Sequence, residues 1–466
     1  MELIRVNSPE EMGLSSLALE DFIKDYKKLG FATVSLIRDG KRFTLNSKPY
    51  REDAPFVLFS LSKSFTSMAA GFAVAEGKIG WDSRVTEVLS DCLPEDYDRK
   101  LDEVTLHHLL SMSSGLDPKS DGPDLRMNSN IAREILSHAV IHAPGTVFHY
   151  NTMGTYLAGR MVQRAVGETL RDYLMPRLFD KIGVPRRRWN CCPMGYNMAG
   201  FGFHLSNLDI AKVAQLLLDE GMEGGERVLP VGYLSRATRT HISNGDPATG
   251  NDWNQGYGYQ FWRSRFGRYR GDGMFGQVMM IDTRHNLAVA ATASAPDMDQ
   301  EMTALHALMD AALTLPPASG DRQAGILKKA GNLSRRMPPD DGSSVMALDG
   351  SYLDEKGAAL RLDAADENHI RLFFRGPGEE FAACFDLGRK KPCLGEVSSP
   401  MPGEGNLPYL GGFGMNGDAI RVRVLFPTAP FALDMKLIAG NDGLTGKAEA
   451  RGFYQGKLNF IKQKMG

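Results

Sequence analysis

Nowhere in the 466 residues do 18 apolar residues run together, so no segment reads as a membrane-spanning helix. The opening MELIRVNSPEEMG lacks a basic stretch followed by an apolar one, and the expectation is a cytoplasmic chain without a membrane span. Charge of one sign is also missing. Fifty-four Lys and Arg stand against 56 Asp and Glu, and no long basic or acidic run is present to hold a polyanion or an acidic membrane, so nucleic acid is not an expected partner. The five cysteines (Cys92, Cys191, Cys192, Cys384, Cys393) are odd in number and form no CxxC, which excludes a disulfide framework and a zinc ribbon. No GxSxG pentapeptide occurs, so a nucleophile elbow is excluded too. Two nucleotide signatures fail on context. Gly271 to Gly276 matches GxGxxG but precedes a strand instead of following one, and Gly71 to Lys78 has the wrong glycine spacing for a P-loop.

What is present is an ordinary globular composition, 42% apolar and 24% charged, in a chain long enough for two domains. Residues 1–315 mix helical and strand patterns. Thr33 to Arg38 and Lys41 to Asn46 flank Asp39-Gly40, a hairpin turn signal. A helix is predicted from about Ser60 to Glu76, stopping at Gly77, and others at 15–28, 105–112, 131–138, 156–166, 207–219 and 300–313. Strands are predicted at Gln277 to Asp282 and Leu287 to Thr292, so the sheet is expected to be built from both ends of this region and flanked by helices. Residues 316–344 turn to Pro, Gly, Ser and charge and read as a linker. Beyond, period-two alternation at 359–362, 370–374, 420–425 and 431–437 predicts an all-β sandwich or barrel over 345–466.

Ser60 and Lys63 stand three apart at the start of the predicted helix and so share a face. Helix N-terminal N–H groups favour the negative charge that an attacking serine develops, and a buried lysine with a lowered pKa can take its proton. SxxK by itself is expected by chance about once in such a chain, so its company decides. Tyr150 lies in a turn before a helix, where an adjacent ammonium would tune it. Glycines at 271–276 let backbone approach a substrate closely and offer a free N–H to an oxyanion. Paired His107 and His108 point in different directions and read as structural. Trp262, Tyr259 and Phe203 can line an apolar acyl pocket or simply pack, and packing is the favoured reading.

Over residues 8–313 the chain resembles the serine β-lactamase-like family: class C β-lactamases, DD-peptidases of the penicillin-binding type, family VIII carboxylesterases and 6-aminohexanoate-dimer hydrolase-like amidases. Five segments carry the resemblance in order, namely FSLSKSFTSMAAGFAVAEGKIGWDSRVTEVL, TLHHLLSMSSGLD, APGTVFHYNTMGTYLAG, AGFGFHLSNLDIAKVAQLLLDEG and GYGYQFW. It implies a β-lactamase/transpeptidase-like fold of mixed α and β structure and a hydrolase that works through an acyl-enzyme, with no metal or cofactor. Ser60 would be the nucleophile, Lys63 its proton acceptor or the group that tunes Tyr150, and Tyr150 the general base and then acid. The N–H groups of Ser60 and Met274 would bind the oxyanion. Asn151, Thr152, Asp272 and Gly273 would line the substrate site. Two departures bear on substrate. Tyr-x-Asn is here Tyr150-Asn151-Thr152, and Lys-Thr-Gly is Gly271-Asp272-Gly273, where an aspartate should repel the carboxylate that the family's lysine holds. An ester or small amide is therefore the expected substrate. A β-lactam or D-amino-acid peptide, or a silent ligand-binding role, are the alternatives.

Overall fold

The computed structural model describes residues 1–122, 130–355, 357–376, 382–399, 405–440, 443–451 and 454–462, which fall into two compact units. The first comprises residues 1–46, 52–292 and 297–332. Its sheet runs in the order Ile4–Arg5, Lys41–Asn46, Phe31–Arg38, Leu287–Ala293, Gln277–Asp282, Tyr269–Gly273, Trp262–Arg263. Strands from the two ends of the unit thus lie side by side, as their patterns predict. The 31–38 and 41–46 strands pair antiparallel across Asp39-Gly40, where both turn residues take positive φ (51° and 69°), the conformation a two-residue hairpin demands. Central strands are buried along their whole length, and helix Asn207–Leu218 packs over Phe31–Arg38 and Gln277–Asp282.

Tyr269–Gly273 and Trp262–Arg263 escaped the sequence reading because RGDG has neither β-branched residues nor alternation. They form because their neighbour Gln277–Asp282 supplies the hydrogen-bonding edge, pairing antiparallel from Gln277↔Gly273 to Ile281↔Tyr269. Arg268, fully buried just before this strand, anchors its entry. Its Nε donates to Asp282 (2.9 Å), Nη1 to His306 Nδ1 (2.7 Å) and Nη2 to Asp310. An arginine can only donate, so His306 Nδ1 accepts and its Nε2–H is left to donate to Asp252, 3.0 Å away. Burial accordingly lowers the His306 pKa and keeps the ring neutral.

Helix Ser62–Ala75 is buried on nearly every side, which explains its small, mixed sequence SKSFTSMAAGFAVA. It packs against helix Thr152–Val166. At Gly71 the neighbour is the Tyr233 ring, and a Cβ there would lie 2.3 Å from Cδ2. In an exposed helix Gly→Ala stabilises by roughly 1 kcal/mol, but here overpacking reverses the sign. Gly71→Ala should therefore lower stability by about 1–3 kcal/mol in urea unfolding, and a gain in stability would contradict this packing.

A twelve-residue helix, Gly320–Gly331, occupies part of the Pro/Gly-rich stretch. The second unit comprises residues 47–51, 293–296 and 333–466. Among the described residues its strands follow the order Ala382–Gly388, His369–Arg375, Ala359–Asp366, Gly350–Asp354, Tyr454–Lys462, Gly443–Arg451, Ala432–Gly440, Ala419–Leu425, Asn406–Asn416. A parallel pairing of Gly388 with Gly412 joins the last to the first, so these nine close into a barrel, with Cys393–Ser398 added as a tenth strand outside the ring. Between the two architectures left open by alternation, closure selects the barrel. Inward positions such as Leu372, Phe374, Phe385, Phe413 and Val424 are fully buried, and alternate residues face out.

Candidate active site

Ser60 sits in a single 3-10 turn, Phe59–Leu61, that opens directly into helix Ser62–Ala75, so Lys63 follows it by one turn. Phe59 takes a positive φ of 48° and its ring meets Phe275 edge-on at 5.2 Å. Ser60 itself remains partly exposed, whereas Lys63 is 1% exposed.

The Lys63 amine has three neighbours: Ser60 Oγ at 2.9 Å, Thr152 Oγ1 at 3.2 Å and the Gly200 carbonyl at 2.9 Å. A carbonyl can only accept, so one N–H belongs to Gly200. With a second N–H given to Thr152, a neutral amine keeps its lone pair for the Ser60 hydroxyl. Burial pushes the Lys63 pKa down to about 7, against the opposing pull of the Asp121 and Asp272 charges. The group that faces Ser60 can thus be a free amine near neutral pH.

Tyr150 shares a hydrogen bond with Ser60, and Lys63 Nζ lies 4.9 Å from its ring centroid. Burial, aided by the Asp272 charge and offset by Ser60, raises the phenol pKa far above its ordinary value, so this hydroxyl keeps its proton. Trp262 stacks on the Tyr150 ring at 5.4 Å with 14° between the planes, and Tyr257 meets both rings edge-on. Trp262 also hydrogen-bonds Asp272. The sequence marks Trp262 as a packing residue but does not give Tyr150 as its partner.

Asp272 is 6% exposed, and Arg270 Nε, two residues earlier on the same face of the strand, donates to it at 2.7 Å. Burial raises the Asp272 pKa, with Arg270 the main opposing influence. Arg270 is 0% exposed, and Nη1 donates to Ser264 Oγ at 2.6 Å. Gly273 is pressed onto the serine turn, for a Cβ there would stand 2.0 Å from the Leu58 carbonyl oxygen and 3.1 Å from Leu61 N. The turn that follows is held by Gly276 N–H to Gly273 O (3.0 Å) and by Gln277 Nε2 to Met274 O (2.9 Å).

Ser60, Lys63, Tyr150, Thr152, Asp272 and Gly273 therefore converge. Asn151 does not join them as a substrate contact. Its Oδ1 caps helix Thr152–Val166 by accepting from Gly154 N–H (2.6 Å), and its Nδ2 donates to Ser120 Oγ (2.9 Å), leaving neither end of the buried amide free. Gly200 and Arg270 are the contributors that sequence reasoning missed. Gly200 acts through a backbone carbonyl, which residue type does not reveal. His107 bonds the Tyr259 hydroxyl (2.7 Å) and His108 caps its own helix through Thr105. Among the described residues no group of three or more His, Cys, Asp and Glu side chains is arranged to hold a metal ion. No helix among them is long and apolar enough to cross a membrane.

Residues 18–314, more than half of the chain, match the Beta-lactamase family model, and the chain belongs to that family. It is 33% identical over 140 residues to esterase EstB of Burkholderia gladioli, an alignment covering 26% of this chain and 35% of that one. With 6-aminohexanoate-dimer hydrolase of Paenarthrobacter ureafaciens it shares 24% identity over 269 residues, 54% of this chain and 69% of the relative. Alignments with EstB, a β-lactamase of Pseudomonas fluorescens and a fimbrial assembly protein of Dichelobacter nodosus span 35%, 50% and 33% of those relatives. The fold is that of an octameric penicillin-binding protein homologue from Pyrococcus abyssi, with TM-score 0.51 and 18% identity over 94% of this chain and 98% of that one.

Proposed function

We propose that the protein is a serine hydrolase that cleaves an ester or small amide through an acyl-enzyme on Ser60. The observation that carries this reading is the buried Lys63 amine, 2.9 Å from a partly exposed serine hydroxyl, with its pKa lowered to about 7. The Ser60 hydroxyl proton passes to Lys63 Nζ as Oγ attacks the carbonyl carbon. The main-chain N–H groups of Ser60 and Met274 hold the oxyanion, and Gly273, packed on the serine turn, supports that placement. Collapse of the tetrahedral adduct expels the alcohol or amine, which takes a proton from Tyr150, and the phenol recovers it from the Lys63 ammonium. Water then attacks the acyl carbon by the same proton path in reverse.

Substrates without a carboxylate beside the scissile bond are favoured. Gly271 stands where the family resemblance calls for lysine, Asp272 follows it with the opposite charge, and the nearby cation, Arg270, is buried and committed to Asp272 and Ser264. EstB, an esterase by name, supports the same direction.

Short-chain p-nitrophenyl esters and a chromogenic cephalosporin, assayed in parallel on the wild type and Ser60→Ala, test the reading. The expected result is ester turnover that disappears in the variant, with the cephalosporin hydrolysed far more slowly. Rapid cephalosporin turnover would replace this reading with a β-lactamase. No ester turnover and no mass gain with a fluorophosphonate would replace it with a ligand-binding protein.

A further inference from the structure

The barrel carries a row of cations that no stretch of the sequence displays. Ladder register sets Arg421 opposite Lys436 and Lys436 opposite Lys447. Three basic residues therefore stand abreast at matching positions on three adjacent strands. At the usual strand spacing the row spans roughly 10 Å. Like charges directly opposite one another repel, and an unrelieved row is unfavourable in a sheet.

The row next to it mixes charges of both signs. There Arg423 stands opposite Asp434 and Asp434 opposite Glu449, and Arg423 Nε bonds Asp434 at 2.5 Å. Among the described residues Arg421, Lys436 and Lys447 have no acidic partner. Lys436 and Lys447 are exposed, and the buried Nε of Arg421 has no hydrogen-bond partner. The segment Arg336 to Pro339 forms a wall beside them: the Pro339 carbonyl oxygen lies 2.4 Å from where a Gly414 Cβ would stand, one strand over from Arg421. Between this wall and the cations runs a groove of about 740 Å³, lined by five basic residues, Arg336, Arg421, Arg423, Lys436 and Lys447, against two acidic ones, Asp434 and Glu449, so that cations are in excess.

We infer that this groove, which belongs wholly to the second unit, binds a compact anion carrying two or three linked phosphate groups. Arg421 presents a forked donor at the walled end, while the lysines act as point charges along the row, a combination suited to several phosphate oxygens at once. A single phosphate reaches only part of the row. The inference does not depend on the catalytic reading.

Calorimetric titration of the full chain with inorganic tripolyphosphate, and separately with orthophosphate, tests it. Lys436→Gln/Lys447→Gln is the variant, chosen because both side chains are exposed and their loss leaves the fold intact. Tripolyphosphate should bind the wild type one to one, weaken as salt rises, and bind the variant at least about 10-fold more weakly. Orthophosphate should bind at least about 10-fold more weakly than tripolyphosphate. Without ligand the double variant should melt above the wild type at low salt, the gain shrinking as salt is added. Absence of tripolyphosphate binding to the wild type, equal binding to both proteins, or equal affinity for the two phosphates would overturn the inference.

Discussion

Lys63→Met is expected to lower kcat/KM for an activated ester by about 10³-fold or more, with far less change in substrate binding, since it removes the proton acceptor and keeps the volume. The pH profile is the sharper test. In the proposed mechanism the free amine is the active form, so kcat/KM of the wild type should rise with pH along a limb centred near the Lys63 value of about 7, and the residual activity of the variant should lack that limb. Equal losses in binding and in rate would place Lys63 in a binding role only.

The same side chain links activity to stability. Its pKa is about 7 in the fold and near 10.4 in the unfolded chain, so between those values the unfolded state holds a proton that the folded state has released. Stability attributable to Lys63 therefore rises with pH from about 7 to 10.4, is complete above that window, and is lost as pH falls through 7. At neutral pH the lysine is a liability to the fold. Lys63→Met should remove this rise from the pH dependence of urea unfolding, although Gly200 O and Thr152 Oγ1 then lose a donor.

Arg268→Met is expected to destabilise the protein by about 3–5 kcal/mol, the largest effect foreseen for a residue outside the Ser60 site. Asp282 and His306 Nδ1, both buried, would lose their charged donor at once. Replacing Asp282 as well, in Arg268→Met/Asp282→Leu, should recover part of the loss, because an apolar pair carries no buried charge. Urea unfolding of the two variants decides: a loss below 1 kcal/mol in the single variant, or further loss in the double one, would show that the pair does not act as a unit. Tyr269–Gly273 follows Arg268 directly and ends at the serine turn, so the single variant should also slow ester turnover.

Much of the site was legible at short range. SxxK spacing at a helix start puts a serine and a lysine on one face whatever surrounds them, and Asp39-Gly40 between alternating strands specifies a hairpin. Tyr150 was found through the order of the five segments, not through its immediate neighbours. An asparagine before a helix reads equally as a ligand-facing amide or a cap, and the structure shows the Asn151 amide engaged with Ser120 and Gly154 as a cap.

By itself the sequence determined the features whose physics is local: which residues can be nucleophile and base, where the hairpin turns, and that the last third of the chain alternates as β-structure. Tertiary structure alone decided the rest, because burial and strand register depend on residues far apart in the chain. It set the Lys63 amine against Gly200 in a site dry enough to release its proton, and joined Asp272 to Arg270 and Trp262. It closed alternating strands into a barrel and drew cations from three separate strands into one row. Like charges far apart in sequence repel only once register has made them neighbours.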